Sequence, residues 1–89
     1  MSDTTDAAAR PDSRFAAKIF PSPNHGERKL SDGTPGRRPD MLILHYTGMP
    51  IAGEALQWLC NPVSQVSSHY FVFENGHTLQ LVPEGRRAW

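Results

Sequence analysis

The 89 residues carry nine basic and nine acidic side chains, which allows one small domain with a high surface-to-volume ratio. The balanced charge gives no reason to expect a nucleic acid or an anionic membrane as partner. One cysteine, Cys60, excludes an intramolecular disulfide framework and a zinc site built of cysteines alone. No stretch approaches the roughly 20 apolar residues of a membrane span. The start, Met-Ser-Asp-Thr-Thr-Asp, lacks the cationic head and apolar centre of a secretory signal. A cytoplasmic location is therefore the default expectation, with a periplasmic one left open.

In chain order, residues 1–18 show no sustained apolar period and one aromatic, Phe15, and they are expected to form a disordered tail. Residues 19–40 contain four prolines and three glycines. Such a segment suits neither a regular helix nor a central strand. It is read as an extended, turning lead-in anchored by Ile19, Phe20 and Leu30, with His25 as a surface loop histidine.

Met41-Leu-Ile-Leu44 is too short an apolar run for a helix and suits a buried strand. His45, Tyr46 and Thr47 end it, and Gly48 frees the backbone to turn. A histidine at the end of a buried strand faces the rim of a sheet, where ligand groups of α/β proteins gather. Two readings of His45 stay open here, a metal or catalytic group and a histidine satisfied by local hydrogen bonds.

Next, Ala52, Ala55, Leu56 and Leu59 fall on one face of a short helix that begins after Pro50 and stops at Asn61-Pro62. Gly53 weakens its first turn by about 1 kcal/mol, so the helix needs tertiary support. Glu54 reads as a solvated side chain and Cys60 as a small buried hydrophobe. Residues 63–67 read as a loop. The last third is a hairpin, with strands over 69–74 and 78–82 joined at Asn75-Gly76. His69 shares a face with Phe71 and Phe73, as a buried structural histidine or as a group lining a site. His77, beside the turn, is expected to be exposed. A catalytic zinc site needs three protein ligands, and His25, His45, His69 and His77 form no helical pair or compact cluster.

Three blocks carry a resemblance: Met41 to Gly48, then Val-Ser-Ser-His-Tyr-Phe-Val over 66–72, then Gln-Leu-Val-Pro-Glu-Gly-Arg-Arg-Ala-Trp over 80–89. Together, and in this order, they resemble the zinc-dependent N-acetylmuramoyl-L-alanine amidases of the type 2 amidase family. That family is related to the phage lysozyme-type amidases and the peptidoglycan recognition proteins. The lead-in Pro-Ser-Pro-Asn-His-Gly-Glu-Arg is similar to the segment before the first strand of bacterial members.

The resemblance implies an α/β fold, a mixed sheet flanked by helices, of which residues 19–89 supply the first strand, one helix and the hairpin. It implies Zn²⁺ as cofactor with His45 as a ligand. It also implies peptidoglycan or a muropeptide as substrate, with Thr47 and Trp89 as contacts and Arg87-Ala88-Trp89 as a stretch that helps to form the substrate groove. His69 matches a histidine near the site that is not a ligand. The general base and the other ligands of the family match no position here and are expected beyond Trp89. The expectation is thus the N-terminal portion of an amidase domain, inactive as an 89-residue species. A non-catalytic muropeptide-binding module and a non-functional remnant are the alternatives.

Overall fold

The computed structural model describes residues 10–29, 32–34, 39 and 41–89. Five short strands and one helix follow in the order β1 (Lys18–Ile19), β2 (His25–Glu27), α1 (Ala52–Leu59), β3 (Tyr70–Val72), β4 (Thr78–Gln80) and β5 (Arg86–Ala88). They form a three-stranded sheet, β1-β4-β3, and a two-stranded ribbon, β2-β5. In the larger sheet β4 is central, parallel to β1 and antiparallel to β3. The architecture is a small mixed sheet with one short helix. No helix among the described residues is long and apolar enough to cross a membrane.

The hairpin forms where the alternation places it. Phe71 pairs with Leu79 across β3 and β4, and both are buried with Leu81 and Val82. Its turn is a three-residue loop. Phe73 N–H bonds the His77 carbonyl at 2.8 Å, Gly76 N–H bonds the Phe73 carbonyl at 2.9 Å, and Gly76 takes a φ of +89°. A type I turn closed by a left-handed glycine gives the right twist for the flanking strands. The Asn75 carboxamide accepts from His77 N–H at 2.9 Å.

Helix α1 buries Ala55 and Leu56 against Phe71, Leu79, Leu81 and Val82, with Leu59, Cys60, Phe73 and Ala88 at the margin. Phe71 and Phe73 meet edge to face at 5.0 Å, a favoured aromatic geometry. No side chain caps the helix start at Ile51. Its end is closed from the lead-in instead, because buried Ser22 donates to the Leu59 carbonyl at 2.5 Å. A carbonyl of the last turn has no partner within the helix, so such a donor is what it needs.

Several expectations change. The run Met41–Leu44 is not a strand: residues 41–46 are irregular, and Met41, Leu42, Ile43, Leu44 and Tyr46 are 63% to 93% exposed. The places beside the central strand are taken: β4 has β1 on one edge and β3 on the other, and α1 packs on the core residues of this sheet. The run has no ladder partner among the described residues. The parallel place beside β4 goes to residues 17–22, through Ala17, Phe20 and Ser22 N–H groups bonded to the Thr78, Gln80 and Leu81 carbonyls at 2.7 to 2.9 Å.

Residues 10–18, assigned above to the tail, lie against the sheet, whereas residues 1–9 fall outside the described residues. Ala16 is buried. Asp12 N–H bonds Gln80 Oε1 at 2.7 Å, Gln80 Nε2 returns a bond to Asp12 Oδ2 at 2.6 Å, and Glu84 N–H bonds the same carboxylate at 2.8 Å. Gln80 is thereby buried with its amide satisfied. Tyr70, its cross-strand partner, donates its hydroxyl to Glu84 at 2.5 Å. Ile19 is half-buried and Phe20 sits at the surface, while Leu30 lies outside the described residues. His25, expected in a loop, is on β2, where its Nδ1 accepts from Arg86 Nε at 3.1 Å.

Two outcomes follow from this arrangement. Leu44→Ala should change the urea unfolding free energy by less than about 0.5 kcal/mol, as for other surface sites. A loss of about 2–5 kcal/mol, the cost at a core leucine, would return the run to the interior. Burial, and then the bond and charge of Glu84, raise the Tyr70 pKa above the ordinary phenol value. A raised folded pKa favours the protonated state, so its stabilisation is intact below about pH 10 and declines as pH rises beyond it. Tyr70→Phe should flatten that alkaline decline in denaturant titrations between neutral and strongly basic pH.

Candidate functional site

A shallow concave surface lies beside β5, next to a framework assembled around one buried amide. Asn24, just before β2, is 1% exposed. Its Nδ2 group donates to the carbonyls of Asn61 at 2.8 Å and Val66 at 2.9 Å, with Ser64 Oγ at 3.2 Å and the Leu59 carbonyl at 3.4 Å. An amide has two hydrogens, so the two short contacts are the principal bonds. They fix the loop after α1 to the strand ribbon. Within that loop Asn61 Oδ1 accepts from Val63 N–H at 2.9 Å, and Ser64 Oγ donates to the Asn61 carbonyl at 2.9 Å.

Held this way, the loop carries Gln65 at a φ of +55°. That left-handed conformation costs a non-glycine residue roughly 1–2 kcal/mol and persists where surrounding bonds over-determine it. Two residues on, Ser67 locks the loop to the end of β5. Ser67 N–H bonds the Trp89 carbonyl at 2.7 Å and Ser67 Oγ accepts from Trp89 N–H at 3.0 Å. The same hydroxyl donates to the Asn24 carbonyl. Trp89 then lies over Gly26, where a Cβ would stand 3.4 Å from its indole nitrogen.

Two shallow depressions result, joined by Arg87. One, about 290 Å³, is lined by Glu27, Lys29 and Arg87; the other, about 380 Å³, by Gln65, Arg87 and Trp89. Lys29 Nζ lies 3.5 Å from the Glu27 carboxylate. On β5, Arg86 takes the other role and serves the framework. Both Nη2 hydrogens of Arg28 are engaged by the Glu84 and Arg86 carbonyls at 2.8 and 2.9 Å. His69 Nε2, 3.2 Å from that nitrogen, therefore acts as a donor to the Arg86 carbonyl at 2.9 Å. Of the two readings left open for His69, this bonding is structural. His77 is exposed, with its ring 5.8 Å from Phe73.

Of the residues expected at a site, Trp89 lines the groove. His45 and Thr47 stand on the exposed irregular strip. No hydrogen bond among the described residues engages His45. The Thr47 hydroxyl is turned back on its own chain, accepting from Met49 N–H at 3.2 Å. Gln65 is an addition from the structure, whereas Arg87 joins Trp89 from the stretch that the resemblance placed at a groove. Residue type gives no warning of Gln65, since left-handed positions favour glycine or asparagine.

Residues 35–89, more than half of the chain, match the family described as N-acetylmuramoyl-L-alanine amidase. The chain belongs to this amidase family. No curated protein and no solved structure matches it. The family match spans the His45 strip, the helix, the loop bearing Gln65, the hairpin and Trp89, so the groove of this amidase-family chain lies largely inside it.

Zinc is the metal the family implies, and the donor set can be tested against it. Among the described residues no three His, Cys, Asp or Glu side chains converge to hold an ion. A three-ligand centre does not fit these residues, and His45 is a single donor apart from the rest.

The groove depends on Asn24 in a measurable way. Asn24→Ala leaves the Asn61 and Val66 carbonyls without their donor, at about 0.5–1.5 kcal/mol for each hydrogen bond. Urea unfolding should show a total loss of about 1–3 kcal/mol, with the Trp89 indole resonance moving toward its free-solution position.

Proposed function

We propose that this chain belongs to the machinery that hydrolyses the amide between the lactyl group of N-acetylmuramic acid and the L-alanine of the stem peptide. The substrate is peptidoglycan or a muropeptide. The observation that carries this reading is the family match over residues 35–89, which takes in His45, Thr47, Gln65 and Trp89 together. In this reading His45 is one ligand of a zinc ion, Thr47 contacts substrate beside it, and Trp89 forms a wall of the groove.

Amide hydrolysis needs an activated water and a group that moves its proton to the leaving amine. Glu84 is occupied by Tyr70 and Glu27 pairs with Lys29. Glu54 is exposed in the first turn of α1, and Glu74 is exposed in the hairpin loop. None of them is placed as a base beside His45 with a ligand set around it. In this reading the 89 residues supply part of an amidase domain with one candidate ligand, and hydrolysis is not expected of them by themselves.

Two experiments test this. Purified 89-residue chain with zinc and a muramyl peptide should release no stem peptide detectable by mass spectrometry. Residues 35–89 grafted in place of the matching stretch of an active family amidase should retain hydrolysis. His45→Ala in that graft should lower the rate more than about a hundredfold, since even changes behind a metal ligand cost roughly 10–100-fold. His77→Ala should leave it unchanged. Undiminished turnover in the His45→Ala graft, or chelator-sensitive turnover by the 89-residue chain, would count against the assignment.

A further inference from the structure

We propose that residues 41–46 join two copies of this chain as an antiparallel ladder with its two-fold axis at Leu44. The inference goes beyond the amidase reading and does not rest on it. Leu42, Leu44 and Tyr46 are 85%, 87% and 93% exposed, and Met41 and Ile43 are 72% and 63% exposed. No backbone hydrogen bond among the described residues engages this stretch. Side chains and peptide groups are both open to a second strand. Strand addition uses that combination, with main-chain bonds for affinity and alternate side chains for specificity.

The composition of the strip selects a second copy as the partner. Apart from His45, no acidic or basic residue occurs from Met41 to Gly53, so two copies meet there without the repulsion of like charges. A run of branched and aromatic residues with low charge, free of proline and glycine, is of the kind that pairs with itself. Both ends of the strip are bounded. Pro39 precedes it in the sequence. After it the Thr47 hydroxyl accepts from Met49 N–H, Gly48 takes a φ of +69°, and Pro50 follows. Proline interrupts a ladder, so each strand of the pair ends within this stretch.

Exposure fixes the register. Residues two apart share one face of a strand, and Leu42, Leu44 and Tyr46 are the barest alternate set. A two-fold axis at Leu44 is the one placement that sets every member of this set opposite another member. Leu44 faces its own copy and Leu42 faces Tyr46, while Ile43 faces His45 on the other side. Aromatic and branched side chains placed directly opposite stabilise a ladder. The five exposed residues leave roughly 800 Å² bare on each copy, of which a two-stranded ladder covers about half, so the pair belongs to the weak class below about 1,200 Å² in total. In dilute solution the copies separate, and Leu44 behaves as an ordinary surface residue.

The test is sedimentation velocity of the 89-residue chain from about 5 to 500 µM, a range that spans weak association. The average mass should climb toward twice that of a single chain. Leu44→Lys sets two like charges opposite each other at the axis and should raise the midpoint concentration at least about tenfold. Val63→Lys, at a site 79% exposed in the loop after α1, should associate as the parent does. A second measurement reads the register in a Cys60→Ser background. Leu44→Cys should form a disulfide-linked dimer about tenfold faster than Leu42→Cys, because only the axial pair falls within the roughly 4.4–6.8 Å between Cα atoms that a disulfide spans. A chain of constant mass at every concentration overturns the proposal. So does association that Leu44→Lys leaves unchanged, or equal cross-linking of the two cysteine variants, which marks collapse without register. None of these outcomes bears on the amidase reading.

Discussion

Asn24 joins three parts of the chain through both its side chain and its backbone. Its side-chain amide reaches the carbonyls of Asn61 and Val66, its backbone carbonyl accepts from Ser67, and its backbone N–H bonds Ser22 Oγ at 3.2 Å. A buried amide such as this one would cost about 1–3 kcal/mol without partners; here it is satisfied. The end of α1, the loop bearing Gln65 and the β2–β5 ribbon are therefore set by a polar joint, which the Ser22–Leu59 and Ser67–Trp89 bonds complete. The groove is a consequence of that joint more than of the apolar core.

The apolar core itself is small and leaves hydrophobic surface unused. Burying a leucine or isoleucine side chain contributes about 1.5–3 kcal/mol, and Leu42, Ile43 and Leu44 forgo most of it. The sheet spends its central position on β4 and its parallel edge on a strand of two residues, β1. This uncharged run leads into His45, so the family's implied metal ligand stands on an exposed, irregular segment.

How much could be read from residues alone follows from the range of the interactions. Helix α1 and the β3–β4 hairpin were legible because their signals are local: apolar spacing on one face, alternation, and Asn75-Gly76 between two strands. Strands β1, β2 and β5 have two or three residues each and leave no period to detect. Asp12, Ser22 and Asn24 looked like tail and loop because polar residues usually are; their burial depends on partners far along the chain. Met41–Leu44 was misread for the opposite reason. Four apolar residues state a preference for an interior but do not specify which edge will receive them. Arg87 and Trp89 entered through family resemblance, whereas Gln65 owes its place to a groove no local signal encodes.

The parallel pairing of β1 with β4 also imposes an order of events. Asp12 and Gln80 are 68 residues apart, and Asp12 and Glu84 are 72. Closing a loop of that size must precede any reward from the contact, which slows folding. At about 5–20 residues per second, roughly 3–14 s of synthesis separates the two ends of the bond. Helix and hairpin can form within their own segments, whereas residues 12–22 are made first and have no sheet partner until β4 follows. A nascent chain thus carries its strap unpaired while the rest is made, and a holding chaperone would meet that strap before Gln80 does.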